Sequence, residues 1–242
     1  MNQAVVAGLI GCVSFLYAMV GQAGGTAFLA VMALAEFSPT EMRPTALLLN
    51  IVAAGYATWQ LQRHHVIEWM LLRPIIAPSI ATAFLGGLLV LRGSVYFVTT
   101  ALLLIAAAGF ILLRQSGDVA PARPIRPLPA ALAGGAAGML SGLIGIGGGV
   151  FLTPLVVAFG WASPRRAAGL SPPFILSNSI VGFIGALVAG QRVASGTAVY
   201  AVTAIAGAML GTTASLHWMS EKATRYVLAA ILLFAGIRLL SR

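Results

Sequence analysis

Long apolar blocks separated by short polar stretches make up nearly the whole chain. Eight such segments run over Ala4–Ala35, Pro44–Leu61, Met70–Leu91, Val95–Leu113, Leu128–Phe159, Leu170–Ala189, Thr197–Leu216 and Thr224–Leu240. A membrane-crossing helix needs about 20 apolar residues, and six of the eight fit one crossing each. The first and fifth run for 32 residues, too long for one ordinary span. The pattern predicts an all-α integral membrane protein.

The two long segments share an interruption. Gly21-Gln22-Ala23-Gly24-Gly25 sits near the middle of the first, and Gly145-Ile146-Gly147-Gly148-Gly149 near the middle of the fifth. A glycine in a helix interior costs roughly 1 kcal/mol relative to alanine, so several in one turn break the helix. In lipid such a break is tolerated only where it is buried in protein or lines a cavity. The stretches after the breaks, Thr26–Ala35 and Val150–Phe159, are ten residues each, the length of a half-helix. Matched breaks of this kind point to a transporter's binding site.

The chain divides into a first repeat over residues 1–114, a Pro- and Arg-rich linker over 115–127 and a second repeat over 128–242. Each break is followed by a Ser-Pro turn, Ser38-Pro39 and Ser163-Pro164, and then by basic residues, Arg43 and Arg165-Arg166. Next come apolar helices carrying Asn50 and Asn178 at matched places, with Pro44, Pro172 and Pro173 expected to open them. Gly86 matches Gly211 further on. If each long segment is a single span, the halves are parallel and the basic residues divide 8 to 6 between the two sides. If the chain turns back at the glycines, the halves are inverted and the division is 9 to 5. Basic residues favour the cytoplasmic side, so the inverted arrangement with both termini outside fits better.

Composition narrows the chemistry. Hydrophobic residues make up 60% of the chain and charged residues 8%, against about 25% charged in a soluble domain. The net charge of +9 comes from basic residues scattered singly between apolar runs, which suits loops beside membrane spans and not a nucleic-acid surface. The single cysteine, Cys12, excludes an intramolecular disulfide. The N-terminus lacks a basic n-region, so no cleaved signal peptide is expected. All five acidic residues, Glu36, Glu41, Glu68, Asp118 and Glu221, fall in loops or at segment ends, as do His64, His65, His217 and Lys222. A proton relay needs a carboxylate deep in a span, and none is expected. No metal box, acid–base dyad or phosphate loop is present, and no enzymatic activity or cofactor is expected. The second glycine run also fails the dinucleotide fingerprint, since position 150 is Val and no strand precedes it.

An anion suits what remains. Half-helix N-termini at the breaks offer N–H groups and a positive dipole end. The candidate substrate-binding set is Gly21, Gln22, Gly24, Gly25, Asn50, Gly145, Gly147, Gly148, Gly149, Ser171, Ser177 and Asn178, with Thr45 and Ser179 as weaker members. Gln22 has Ile146 opposite it, so the two breaks are related without being interchangeable. Arg43, Arg165 and Arg166 are candidate charges at the mouths, against the plainer reading of loop charges that set topology. Each member also has a packing reading: small residues let helices approach, and an asparagine in lipid commonly bonds a neighbouring helix. Packing is the main reading for Gly134, Gly138, Gly142, Gly207 and Gly211.

Several stretches carry a resemblance. Gly145–Gly149, Phe151-Leu152-Thr153-Pro154 and Ala167-Ala168-Gly169-Leu170-Ser171 with Asn178 resemble the sulfite exporter (TauE/SafE) family, as does the two-half layout. The first half departs from that pattern at Gln22-Ala23 and Thr45-Ala46. The resemblance implies a multi-pass inner-membrane permease for small sulfur-containing anions such as sulfite or an organosulfonate. The expected partners are that anion and the lipid bilayer, with a homo-oligomer left open. Two alternatives stand beside it: a carrier of a cation or neutral solute, coupled to Na⁺ through unwound backbone, and a non-transporting membrane subunit.

Overall fold

The computed structural model describes residues 1–19, 21–91, 93–113, 124–214 and 221–240. The linker 115–127 lies largely outside them, with Asp118. So do Arg92, Arg114, Arg123, His217, Arg242 and the side chains of Arg165, Glu221, Lys222, Arg225 and Arg238. Ten helices are seen among the described residues. They are α1 (Gln3–Met19), α2 (Gly25–Leu34), α3 (Pro39–Arg63), α4 (Trp69–Leu88), α5 (Gly93–Leu113), α6 (Pro127–Ile144), α7 (Gly149–Ala158), α8 (Pro164–Val188), α9 (Thr197–Ala214) and α10 (Glu221–Leu240). Both long segments split at their glycines, leaving the ten-residue half-helices α2 and α7. By length and composition α4, α6, α9 and residues 166–188 of α8 can each cross a membrane. Large apolar side chains such as Met70, Leu102, Val202, Phe234 and Ile237 face outward, as a lipid-facing surface requires.

Neighbouring glycines show how the helices run. Along α1 and α9, Gln3 lies beside Gly196, Gly11 beside Thr203 and Phe15 beside Gly211, so the pair is parallel. Along α4 and α6, Ile75 lies beside Gly134, Ser79 beside Gly138 and Ala83 beside Gly142, again parallel. These small-residue stripes pack helix on helix, and a Cβ at any of the three α6 positions would collide with an α4 carbonyl. In α3 and α8 the order reverses. Leu47 lies against Gly182, Gly55 against Leu176, Val66 against Gly169, and Glu68 pairs with Arg166.

These directions fix the relation between the halves. Exchanging α1–α5 with α6–α10 turns the pair α1/α9 into α6/α4 and leaves α3/α8 as a pair of mates. Mates that pack antiparallel require a two-fold axis lying across the helices, so the repeats are inverted. α1 and α3 begin on the same side: Gln3 is at Gly196, and the Thr45 hydroxyl accepts from the Ala194 N–H at 2.9 Å. The short α2 must therefore run back between them. The first break is a point of chain reversal, and by the same symmetry so is the second. A hydrogen bond of 2.6 Å between Tyr17 and Thr26 ties α1 to the returning α2.

Two sequence expectations need correction. Pro44, Pro172 and Pro173 lie inside α3 and α8, and the helices open instead at Pro39 and Pro164, next to the Ser N-caps. Asn50 and Asn178 are not at matched places. Counting from those prolines, Asn50 is the twelfth residue of α3 and Asn178 the fifteenth of α8, about 4.5 Å apart along equivalent axes. The structural mate of Asn50 is Ile175.

Candidate functional site

Gly24 and Gly148 are the N-caps of the two half-helices, at φ of 98° and 77°. Only glycine takes that left-handed geometry without strain, and it brings no side chain to cap the helix. The first N–H groups of α2 and α7 therefore have no intrahelical acceptor and no side-chain cap.

The two breaks meet in the centre of the protein. The α-carbon of Gly25 packs against the Ile146 carbonyl, and a Cβ there would stand 2.6 Å from Asn50 Nδ2. Asn50 Nδ2 donates to the Gly145 carbonyl at 3.2 Å. A Cβ at Gly147 would lie 3.0 Å from Asn50 Nδ2 and 3.3 Å from Ser179 Oγ. A Cβ at Gly148 would lie 3.4 Å from Ser141 Cβ, and one at Gly149 3.6 Å from Ser171 Cβ. Asn50, Ser141, Ser171 and Ser179 thus gather around the start of α7. All are fully buried.

Several of these polar atoms have no hydrogen-bond partner. Within the cluster they are Asn50 Oδ1, Ser141 Oγ and Ser179 Oγ; among the other described residues, both amide atoms of Asn178, Gln22 Oε1, Thr58 Oγ1 and Thr100 Oγ1 are in the same state. Each buried polar group left unpaired costs about 1–3 kcal/mol. The other members are satisfied within the protein. Ser171 shares a 2.7 Å hydrogen bond with Thr153 of α7, which fastens α7 to α8. Ser177 donates to the Pro173 carbonyl one turn back. Gly21 lies against Ala168 near the start of α8, away from the cluster around α7. Ser141, which the sequence analysis did not single out, lies in this cluster together with Ser179.

The candidate mouth charges are rearranged. Arg43 is a buried residue, 1% exposed. Its guanidinium donates to the Gly86, Gly87 and Leu89 carbonyls at the end of α4, to the Leu143 carbonyl at the end of α6, and to Gln191 Oε1. It is therefore no open mouth charge. Its structural mate is Ala168, the residue that meets Gly21 as Arg43 meets Gly145. Arg166 lies on the surface and pairs with Glu68. That pairing holds the Glu68 carboxyl below the usual carboxylate range. Among the described residues, Glu36, Glu41 and Glu68 all stand outside the site: in the turn after α2, in the first turn of α3 and before α4.

A family described as "Sulfite exporter TauE/SafE" matches residues 5–239. A curated relative, "Probable membrane transporter protein y4hK" of Sinorhizobium fredii (strain NBRC 101917 / NGR234), is 32% identical over 232 residues, covering 94% of each chain. No solved structure matches. With the match running through both breaks and both repeats, the chain belongs to the sulfite exporter TauE/SafE family of membrane transporters.

Proposed function

We propose that the protein carries a small sulfur-containing anion, sulfite or an organosulfonate, and that the anion binds where the two breaks meet. The observation that carries this reading is the cluster of buried, unpaired polar groups at the start of α7, with no carboxylate beside it. The α7 N–H groups and dipole favour an anion. The Ser141 and Ser179 hydroxyls and the Asn178 amide supply neutral donors. An oxyanion accepts from donors of this kind, and a protonated carboxylate is not needed to couple it. With the cell interior negative, an anion leaving the cell moves downhill by about 2.3 kcal/mol per charge per 100 mV, so the direction proposed is export across the cell's inner membrane.

A specific observation favours a second reading. Asn50 Oδ1 is a free acceptor beside the Gly145 and Ile146 carbonyls, and oxygens of that kind suit Na⁺. Thermal unfolding of the purified protein with sulfite, thiosulfate, sulfate, taurine and sulfoacetate, each in sodium and in choline salts, tests both. Stabilisation by a sulfur oxyanion in either salt supports the anion reading. Stabilisation by sodium whatever the anion transfers the site to the cation.

A further inference from the structure

We propose that Arg43 is the gate on one side of the site, the side on which α1 and α3 begin. Arg43 is fully buried, and its recorded partners are main-chain carbonyls and one amide, with no carboxylate among them. The ion pair between Arg166 and Glu68 lies on the opposite side. Carbonyls at helix C-termini carry the negative end of the dipole. They hold a guanidinium in place without cancelling its charge, and an unneutralised cation inside a membrane protein is a functional feature by default.

Its position is that of a plug. Gly145 lies between Arg43 and Asn50: the α-carbon of Gly145 packs on Arg43, and its carbonyl accepts from Asn50. Through one planar group, Arg43 ties the end of α4, the end of α6 and the loop after α8. Those elements come from both repeats, so no rocking of one repeat against the other can open this side while the bonds stand. On the opposite side the mate position is Ala168, which brings no charge to Gly21. That side instead holds an open surface groove of about 610 Å³ lined by Gly55, Trp59, Arg63 and Leu176, with Arg63 stacked 4.8 Å over Trp59. The molecule is thus sealed on the Arg43 side. Combined with the anion reading above, on which this part rests, an arriving anion competes with the carbonyls for the guanidinium and so releases the seal.

Sidedness of thiol labelling tests the gate without any substrate. With Cys12 replaced by Ser and Ile146→Cys placed in the second break, a membrane-impermeant maleimide is added to right-side-out and to inverted vesicles. With Arg43 intact, labelling from the Arg43 side is expected to be the slower of the two. Gln191→Leu removes one of the bonds and leaves the others. The loss of one net hydrogen bond is expected to speed labelling from the Arg43 side about tenfold. Arg43→Ala is expected to open it fully, and Arg43→Lys, with fewer donors in a different geometry, to fall between. Equal labelling from both sides with Arg43 intact overturns the proposal. So does unchanged sidedness in Gln191→Leu, which does not depend on Arg43→Ala folding. A protein that shows the expected sidedness but no stabilisation by any sulfur anion keeps the gate and loses the substrate.

Discussion

The two glycine breaks are built on one plan and finished with different chemistry. At the first, Gly25 lies against main chain, the Ile146 carbonyl, with the Asn50 amide beside it. At the second, Gly149 occupies the equivalent place and meets the outer carbons of Ile175. About two turns earlier in the long helices, Arg43 seals Gly145 while Ala168 lies against Gly21. The first half therefore contributes Asn50 and Arg43, and both of them act on the second half's break. The backbone geometry is symmetric, and the polar side chains are not. An inverted repeat gives a transporter two equivalent closures in principle. Here the side chains differ: Arg43 ties one side through main-chain carbonyls, and Ala168 stands at the mate position on the other.

The largest expected effect compares the glycines directly. Gly25→Ala forces a methyl into a main-chain carbonyl of the other repeat, where neither partner can rotate away. Overpacking of that kind costs about 3 kcal/mol or more, and the variant is expected to unfold far below the wild type in a detergent melt. Gly149→Ala meets only the flexible end of Ile175 and is expected to cost about 1 kcal/mol. Combining it with Ile175→Val, which removes the nearest carbon, should cost less than the two changes separately. Equal melting points for Gly25→Ala and Gly149→Ala would erase the distinction drawn between the breaks.

The asparagines come next, with opposite signs. Asn50→Leu removes the donor to the Gly145 carbonyl and leaves that carbonyl buried without it, at about 1–3 kcal/mol. Asn178→Leu removes an amide with no partner at either atom, so the empty protein is expected to gain about 1 kcal/mol. That gain should come with loss of any stabilisation by sulfur anions, the trade that a binding site makes with stability. A variant that both melts lower and still responds to ligand would make Asn178 a packing residue.

How much of this was legible in the chain depends on the level. The broken helices, their ten-residue products and the small-residue stripes follow from glycine's helix cost and from the length of a span, so Gly21–Gly25 and Gly145–Gly149 announce themselves. Inversion was visible only as an uneven scatter of arginines, because loop charge reports sidedness one residue at a time. The mates of Asn50 and Arg43 were not legible. Aligning like with like pairs Asn50 with Asn178, three residues out of register, since the eye matches rare polar residues and the fold matches helix starts. Arg43 likewise read as a loop charge because it follows a turn. Nothing local in Met42-Arg43-Pro44 shows that the ends of α4 and α6 supply carbonyls to bury it.

The smallest expected effect lies at the surface, on the side opposite Arg43. Glu68 and Arg166 join the starts of α4 and α8, with side chains 38% and 45% exposed. Pairs so open to water contribute about 0–1 kcal/mol, and Glu68→Gln is expected to lower the melting point only slightly at neutral pH. The sign with pH is fixed by direction. The Glu68 carboxyl is held below its unfolded value by Arg166, so its contribution is fully present above the ordinary carboxylate range and lost as pH falls through the folded value. The gap between wild type and Glu68→Gln should therefore close in acid. A gap that widens there would mean Glu68 opposes folding, and the side without Arg43 would then have no ionic tie between the two repeats.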